Sequence, residues 1–198
     1  MSEALERCAW CGEDELYVEY HDKEWGVPVD DATELFERLA LEGMQAGLSW
    51  ITVLRKRQRM REVFFEFDRK KLVRYGPGKM ARWLDDPGII RHRGKLEAMV
   101  TNAELSLKEE SFSDFLWSFA PETSQAYSSM QDVPAHTPES HAMSKALKKK
   151  GYRFVGPTIC YAFMQSVGMV NDHITRCFRH TSCAELRADA MLIKSPKN

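Results

Sequence analysis

The chain has 198 residues, a formal net charge of −1, 43% hydrophobic residues and 29% charged residues. That balance suits a globular protein of one domain or of two small lobes sharing a core. It excludes binding to nucleic acid through bulk positive charge, so any basic footprint has to be local. No apolar run reaches the roughly 20 residues that span a bilayer, and the start MSEALERC is acidic where a signal peptide is cationic and then apolar, which points to the cytoplasm and to no membrane contact.

Residues 1–30 read as an irregular segment dense in Cys8, Trp10, Cys11, Tyr17, Tyr20, His21 and Trp25. Asp30, Asp31 and Thr33 offer N-cap chemistry for a helix that runs to about Ala46. Ser49 can cap a second helix reaching Phe65, and Asp68 starts a short one to about Tyr75. Gly76, Pro77 and Gly78 break the chain before a helix near Lys79–Leu84, which ends at Asp86-Pro87-Gly88. IIRHRGKLEAMVTNAELSLKEE is a long helical pattern, and Ser113 to Phe119 is a short one. Residues 120–141, with Pro, Ser, Thr and His, read as the longest loop. Further helices are expected over Ser140–Lys150, Thr158–Val167 and Val170–Phe178. Residues 181–198 have weak periodicity and read as a disordered tail on a helical unit spanning 1–180. No hairpin turn flanked by alternating residues occurs, so the fold class is all-α with about eight or more helices.

The helix at 35–46 carries an anomaly. At about 100° per residue, Leu35, Leu39 and Ala46 share a narrow arc with Phe36 and Gly43 at its edge, and Glu42 falls inside it. A carboxylate on an apolar face is costly unless it has a partner or a task. Gly47 and Trp50 follow, and then a basic run of Arg55, Lys56, Arg57, Arg59 and Arg61. An inward acid, stacking aromatics and nearby cations describe what a flipped nucleobase needs: ring faces, an acceptor for its edge and phosphate contacts outside. Arg91, Arg93 and Lys95 form a second basic cluster. Gly156-Pro157-Thr158 opens a helix N-terminus, where free N–H groups can meet phosphate.

An odd number of cysteines, at positions 8, 11, 160, 177 and 183, argues against a disulfide framework. Cys8 and Cys11 stand as C-x2-C and His173 and Cys177 as H-x3-C, the latter on one face if the segment is helical. Two such clusters at opposite ends of a chain fit a four-coordinate zinc site that joins the termini. Spacing alone allows Cys8, Cys11, His173 and Cys177, or Cys8, His21, His173 and Cys177. Cys160 sits in an apolar helix, where packing is its role.

Seven segments, in order, resemble one family: RCAWC at 7–11, YVEYHDKEWGVP at 17–28, LEGMQAGLSWITVLRKR at 41–57, GIIRHRGK at 88–95, FLWSF at 115–119, SKALKKKGYRFVGPTICYAFMQ at 144–165 and GMVNDHITRC at 168–177. They are similar to the type I DNA-3-methyladenine glycosylases, a zinc-containing branch of the helix-hairpin-helix glycosylases. The resemblance implies a two-lobed all-α fold, double-stranded alkylated DNA as substrate, released 3-methyladenine as product, and no obligate protein partner. It also implies one structural zinc on Cys8, His21, His173 and Cys177. Glu42 matches the base-recognising acid, and Trp10, Tyr17, Tyr20 and Trp50 match the base pocket. Gly47 and Leu48 match the loop that enters the duplex, and Gly156 and Thr158 belong to the hairpin at about 152–158. Many relatives in the wider superfamily carry an Asp two residues before the His of V-D-x-H; Val170-Asn171-Asp172-His173 has Asn there. Pro157 and Thr158 stand where bifunctional relatives place a nucleophilic Lys, which implies a monofunctional enzyme without strand cleavage.

Overall fold

A computed structural model describes residues 5–194. Among these it forms ten α-helices and no strand, as the all-α expectation requires. The helices are α1 Glu15–Lys23, α2 Ala32–Gln45, α3 Trp50–Val63, α4 Arg69–Tyr75, α5 Met80–Asp85, α6 Arg93–Ser106, α7 Phe112–Trp117, α8 Pro138–Lys149, α9 Pro157–Ser166 and α10 His180–Lys194. Among the described residues no helix is long and apolar enough to cross a membrane.

The caps fix most of these starts. The Asp31 carboxylate accepts from the N–H groups of Thr33 and Glu34 and begins α2. Asp68 does the same for Lys71 in α4, Ser111 for Asp114 in α7, and Thr137 closes a capping box with Ser140 in α8. α2 is the central element: every residue from Leu35 to Met44 is buried. It packs on α3, α6, α7 and α9, so its apolar arc is far wider than the sequence periodicity suggests. Between α3 and α4, Phe65, Glu66 and Phe67 all take positive φ (59°, 53° and 54°). Such a left-handed turn costs about 1–2 kcal/mol per residue. It places Phe64 and Phe67 in the core against the Trp83 edge, and that burial offsets the cost.

Three expectations need correction. Residues 15–23, read as irregular, form α1, begun by Asp14, which accepts from the Tyr17 N–H. Val170–Phe178, read as a helix, is a run of tight turns, because its backbone donors serve tertiary partners: Thr175 N–H reaches Tyr127 O and Phe178 N–H reaches Glu6 O. Residues 181–194 of the expected tail belong to α10, and residues 195–198 lie outside the described residues. α10 is held by buried Arg187, which donates to Met169 O at 2.8 Å and to Pro121 O, and by Lys194, which pairs with Asp30 and Asp114.

The basic run on α3 is paired within the fold. Arg55 pairs with Asp14, Arg57 with Glu24, Arg59 with Glu62 and Asp86, and Arg61 with Glu37, while Lys56 donates to Pro87 O. These cations bind α3 to neighbouring parts of the chain.

Candidate functional site

The turn segment after α9 returns the C-terminal half to the N-terminus at one buried cluster. The ligand atoms of Cys8, His21, His173 and Cys177 all lie within 4.8 Å of one another. Cys8 Sγ is 3.7 Å from His173 Nδ1, and Cys177 Sγ is 3.4 Å from His173 Nδ1 and 3.5 Å from His21 Nε2. Metal bonds of about 2.3 Å to sulfur and 2.05 Å to nitrogen at the tetrahedral angle put S and N roughly 3.6 Å apart, so these three pairs stand at the spacing of a tetrahedral metal. The outer ring nitrogens set the tautomers. His21 Nδ1 lies 2.7 Å from Asp22 Oδ1, and His173 Nε2 lies 3.0 Å from Trp25 O. Each outer nitrogen donates there, which leaves the inner nitrogen as a lone-pair donor. Asp22 is gripped in turn by the Arg7 guanidinium through contacts of 2.8–3.1 Å. Cys8 and the two imidazoles pull the Cys177 thiol strongly down, toward the thiolate that a metal takes. Cys11 is apart: its thiol donates to Cys8 O at 3.2 Å. Of the two ligand sets the spacing permits, the structure brings together the one containing His21.

The pocket lies directly beside this cluster. About 280 Å³ of open space is bounded by Trp10, Tyr17, Tyr20, Trp25, Glu42, Gln45, Trp50, Met130, Ala162 and Gln165. All five residues expected here, Trp10, Tyr17, Tyr20, Glu42 and Trp50, are in it. Trp10 packs on Tyr17 at 5.0 Å and on Trp25 at 5.0 Å between ring centroids, and Tyr20 packs on Trp50 at 5.4 Å. Glu42 is 3% exposed. Burial pushes its carboxyl up to about 8, and the Arg38 guanidinium one turn earlier pulls it part of the way back. Arg38 is itself buried, held by Glu24 at 2.8 Å and Glu34 at 3.1 Å, with its guanidinium 5.8 Å from the centre of the Tyr20 ring. Three buried polar atoms of pocket residues have no partner among the described residues: Glu42 Oε2, Trp10 Nε1 and Trp50 Nε1. Native proteins rarely leave such atoms unpaired, and a ligand able to both donate and accept would satisfy them.

Outside the pocket, Gly47 (φ +78°) and Leu48 form the turn between α2 and α3, with Leu48 41% exposed. They share an open groove of about 530 Å³ with Thr52, Lys56, Ile89, Arg91, His92 and Lys95. Arg91 is exposed, and Arg93 lies 3.8 Å from Glu97. Gly156 is the N-cap of α9 and Thr158 is exposed in its first turn. The connection before them is fixed by paired hydrogen bonds between Asn102 and the Arg153 backbone, at 2.9 and 3.0 Å, and by Ser144 on Val155 O. Lys95, expected as a phosphate contact, is buried at the edge of this groove, and its ammonium donates to Met44 O and Ala46 O. Asn171, at the position of the absent Asp, is tied to His180 O, the His173 N–H and Ser124 and does not line the aromatic pocket.

Sequence reasoning did not place Trp25, Gln45, Met130, Ala162 or Gln165 in the pocket. Gln45 follows Glu42 by three residues and was accessible from helical spacing. Met130 arrives from the loop that follows α7, whose path no local pattern encodes.

Comparison with known proteins gives a consistent result. The methyladenine glycosylase family profile matches residues 10–180. DNA-3-methyladenine glycosylase 1 of Escherichia coli (strain K12) is 50% identical over 180 residues, 87% of this chain and 96% of that protein. The DNA-3-methyladenine glycosylase of Haemophilus influenzae is 50% identical over 182 residues, 89% of this chain and 98% of that one. A crystal structure of 3-methyladenine DNA glycosylase I superposes with a TM-score of 0.85 at 51% identity, covering 88% of this chain and all of that one. The Staphylococcus aureus enzyme, whose structure concerns 3-methyladenine recognition, gives a TM-score of 0.82 at 34% identity over 89% of this chain and 97% of its own.

Proposed function

The chain belongs to the methyladenine glycosylase family, and from that premise we propose that it is a DNA-3-methyladenine glycosylase, a hydrolase that releases 3-methyladenine from alkylated DNA in base-excision repair. The observation that carries the reading at the level of residues is the buried Glu42 carboxyl, with an unpartnered oxygen, inside a wall of aromatic rings.

The chemistry follows from the lesion. 3-Methyladenine in DNA is cationic, so its glycosidic bond is already weakened and no strong general acid is required. Electron-rich indole and phenol rings favour a cationic purine over neutral adenine. Glu42 accepts from the exocyclic amino group and loses its own proton as the cation approaches, because a positive charge at contact distance reverses the effect of burial. The Trp10 and Trp50 N–H groups are available to the acceptor nitrogens of the ring. Gly47 and Leu48 enter the duplex and hold the gap left by the extruded nucleotide. Arg91, Arg93 and the α9 N-terminus at Gly156 and Thr158 meet phosphate. Water completes the displacement at the sugar, and the enzyme is monofunctional. The chain offers no Lys in the hairpin for a Schiff base, and Asn171 is committed to structural hydrogen bonds.

We assign zinc to Cys8, His21, His173 and Cys177, because two thiolates and two imidazoles at tetrahedral spacing suit that ion. Four protein donors fill the coordination sphere, so the ion supplies a cross-link between the chain ends and no reaction chemistry. Five unpaired cysteines and a DNA substrate fit a reducing, cytoplasmic setting. The decisive experiment is incubation with methylated duplex DNA and chromatography of the freed bases. Wild-type protein releases 3-methyladenine and Glu42→Gln releases it at least about a hundredfold more slowly; no freed base from wild type overturns the proposal.

A further inference from the structure

α2 ends in an ordered way. Three successive carbonyls past Glu42 meet three donors: the Lys95 ammonium takes Met44 O at 2.9 Å and Ala46 O at 2.6 Å, and the Leu48 N–H takes Gln45 O at 2.6 Å. Gly47 sits among them at φ +78°, a conformation that side chains disfavour, and a Cβ there would meet nothing within 4 Å. The backbone angle and the three hydrogen bonds therefore hold this turn, without packing at Gly47. The last carbonyls of any helix lack intrahelical partners, and here two of the three are met by one side chain from a distant element.

Lys95 is only 7% exposed, and among the described residues no acid pairs with it. Its own helix does not explain it. His92 caps α6 by accepting from the Lys95 N–H, so Lys95 lies in the first turn, where a cation opposes the helix dipole. The negative end of α2 is where that cation is favourable. A buried ammonium also needs acceptors, and the two carbonyls are the ones it has.

We propose that Lys95 is a positioning residue that locks the Ala46-Gly47-Leu48 turn in the shape required for Leu48 to enter the duplex, and that it makes no contact with DNA phosphate. The inference rests on the reading of Gly47-Leu48 as the inserting loop.

The test compares wild type, Leu48→Ala, Lys95→Met, the double variant and Lys95→Gln. Single-turnover release of 3-methyladenine from methylated duplex DNA is measured alongside binding of free 3-methyladenine by tryptophan fluorescence. The salt dependence of duplex binding is the third readout. Leu48→Ala and Lys95→Met each slow release at least about tenfold, while affinity for the free base stays within about twofold. The double variant is at most about twofold slower than Leu48→Ala alone, because Lys95 acts through Leu48. Lys95→Gln, which keeps one donor, loses less than Lys95→Met and gives the comparison if the Met variant does not fold. The slope of log K against log salt matches wild type. A slope reduced by about 0.9 makes Lys95 a phosphate contact and overturns the inference. So do losses that multiply in the double variant, or a full rate in Lys95→Met where Leu48→Ala is impaired. A full rate in Leu48→Ala removes the inserting-loop reading and the inference with it.

Discussion

Replacing Glu42 by Gln should make the ligand-free protein more stable, by an amount that grows with pH. The carboxyl titrates at about 8 in the fold against 4.5 for an ordinary glutamate, so its folded value lies above its unfolded one. Below pH 4.5 both states keep the proton and nothing is lost. As pH rises from there to about 8 the unfolded chain releases the proton and the native state holds it, so the native state loses about 1.4 kcal/mol per pH unit. The penalty is about 1 kcal/mol at pH 5.5, about 3 at pH 7 and about 5 at pH 8.5, and it levels off above. Glutamine has the shape without the titration, so whatever its amide costs is the same at every pH. Urea unfolding of both proteins, metal-saturated and free of DNA, gives the difference directly; the thiol and imidazole titrations of the metal cluster are common to both and cancel. The gap between Gln and Glu should widen by about 3 kcal/mol from pH 5.5 to 8.5, or about 6–12 °C in Tm for a chain of this size. A gap constant to within about 0.5 kcal/mol over that range would mean that Glu42 ionises as a solvated acid does, and the burial argument would be wrong. The variant that gains stability is also the one expected to lose excision, a trade that strained functional groups produce.

Other consequences concern the join between the chain ends. Elemental analysis should find one equivalent of zinc in the wild type, and Cys177→Ser should lose it and melt at least about 5 °C lower, more than 1 kcal/mol shifts a protein of this size; retention of a full equivalent would show the ligand set to be wrong. Asp22→Ala removes the acceptor at 2.7 Å from His21 Nδ1 and should weaken metal affinity about 10–100-fold in competition with a chelator. Affinity within twofold of wild type would deny Asp22 that part. Gly168→Ala should destabilise by about 2–4 kcal/mol in denaturant, because φ is +70° and the new Cβ would stand 2.5 Å from Pro28 N and 2.7 Å from Val27 C. A loss under about 0.5 kcal/mol would mean that the Val27-Pro28 backbone yields freely.

The parts legible in the sequence were those encoded locally. Asp31, Asp68 and the Thr137–Ser140 pair sit at true helix starts, so α2, α4 and α8 begin within one or two residues of their expected places. Glu42 was legible because a carboxylate in an apolar arc contradicts its surroundings. α1 was hidden: its aromatic residues face both the pocket and the core, which erases the 3.6-residue period, although Asp14 carried the cap signal. α10 was hidden because it is mostly exposed and is anchored through Arg187 to carbonyls at 121, 122 and 169. Val170–Phe178 misled in the opposite sense, since H-x3-C has helical spacing on a backbone made of turns. The pairing of the α3 arginines with acids on other elements is likewise a tertiary fact, as is the burial of Lys95.

The distance along the chain between Cys8 and His173, 165 residues, has a consequence for when activity begins. Closing a flexible loop of that length costs about 4–5 kcal/mol of chain entropy. Trp10 and Trp25, which wall the pocket, pack on His21 within that same junction, with ring centroids at 5.4 and 6.3 Å. A nascent chain therefore completes α2 and its acid long before it owns the wall opposite. Release from the ribosome of Cys177, the last of the four donors, lets both ends meet and turns the aromatic-rich beginning of the protein from exposed, aggregation-prone sequence into a lined cavity. Chains that stop short of that residue carry Glu42 and both indoles but lack the donor that completes the junction behind them.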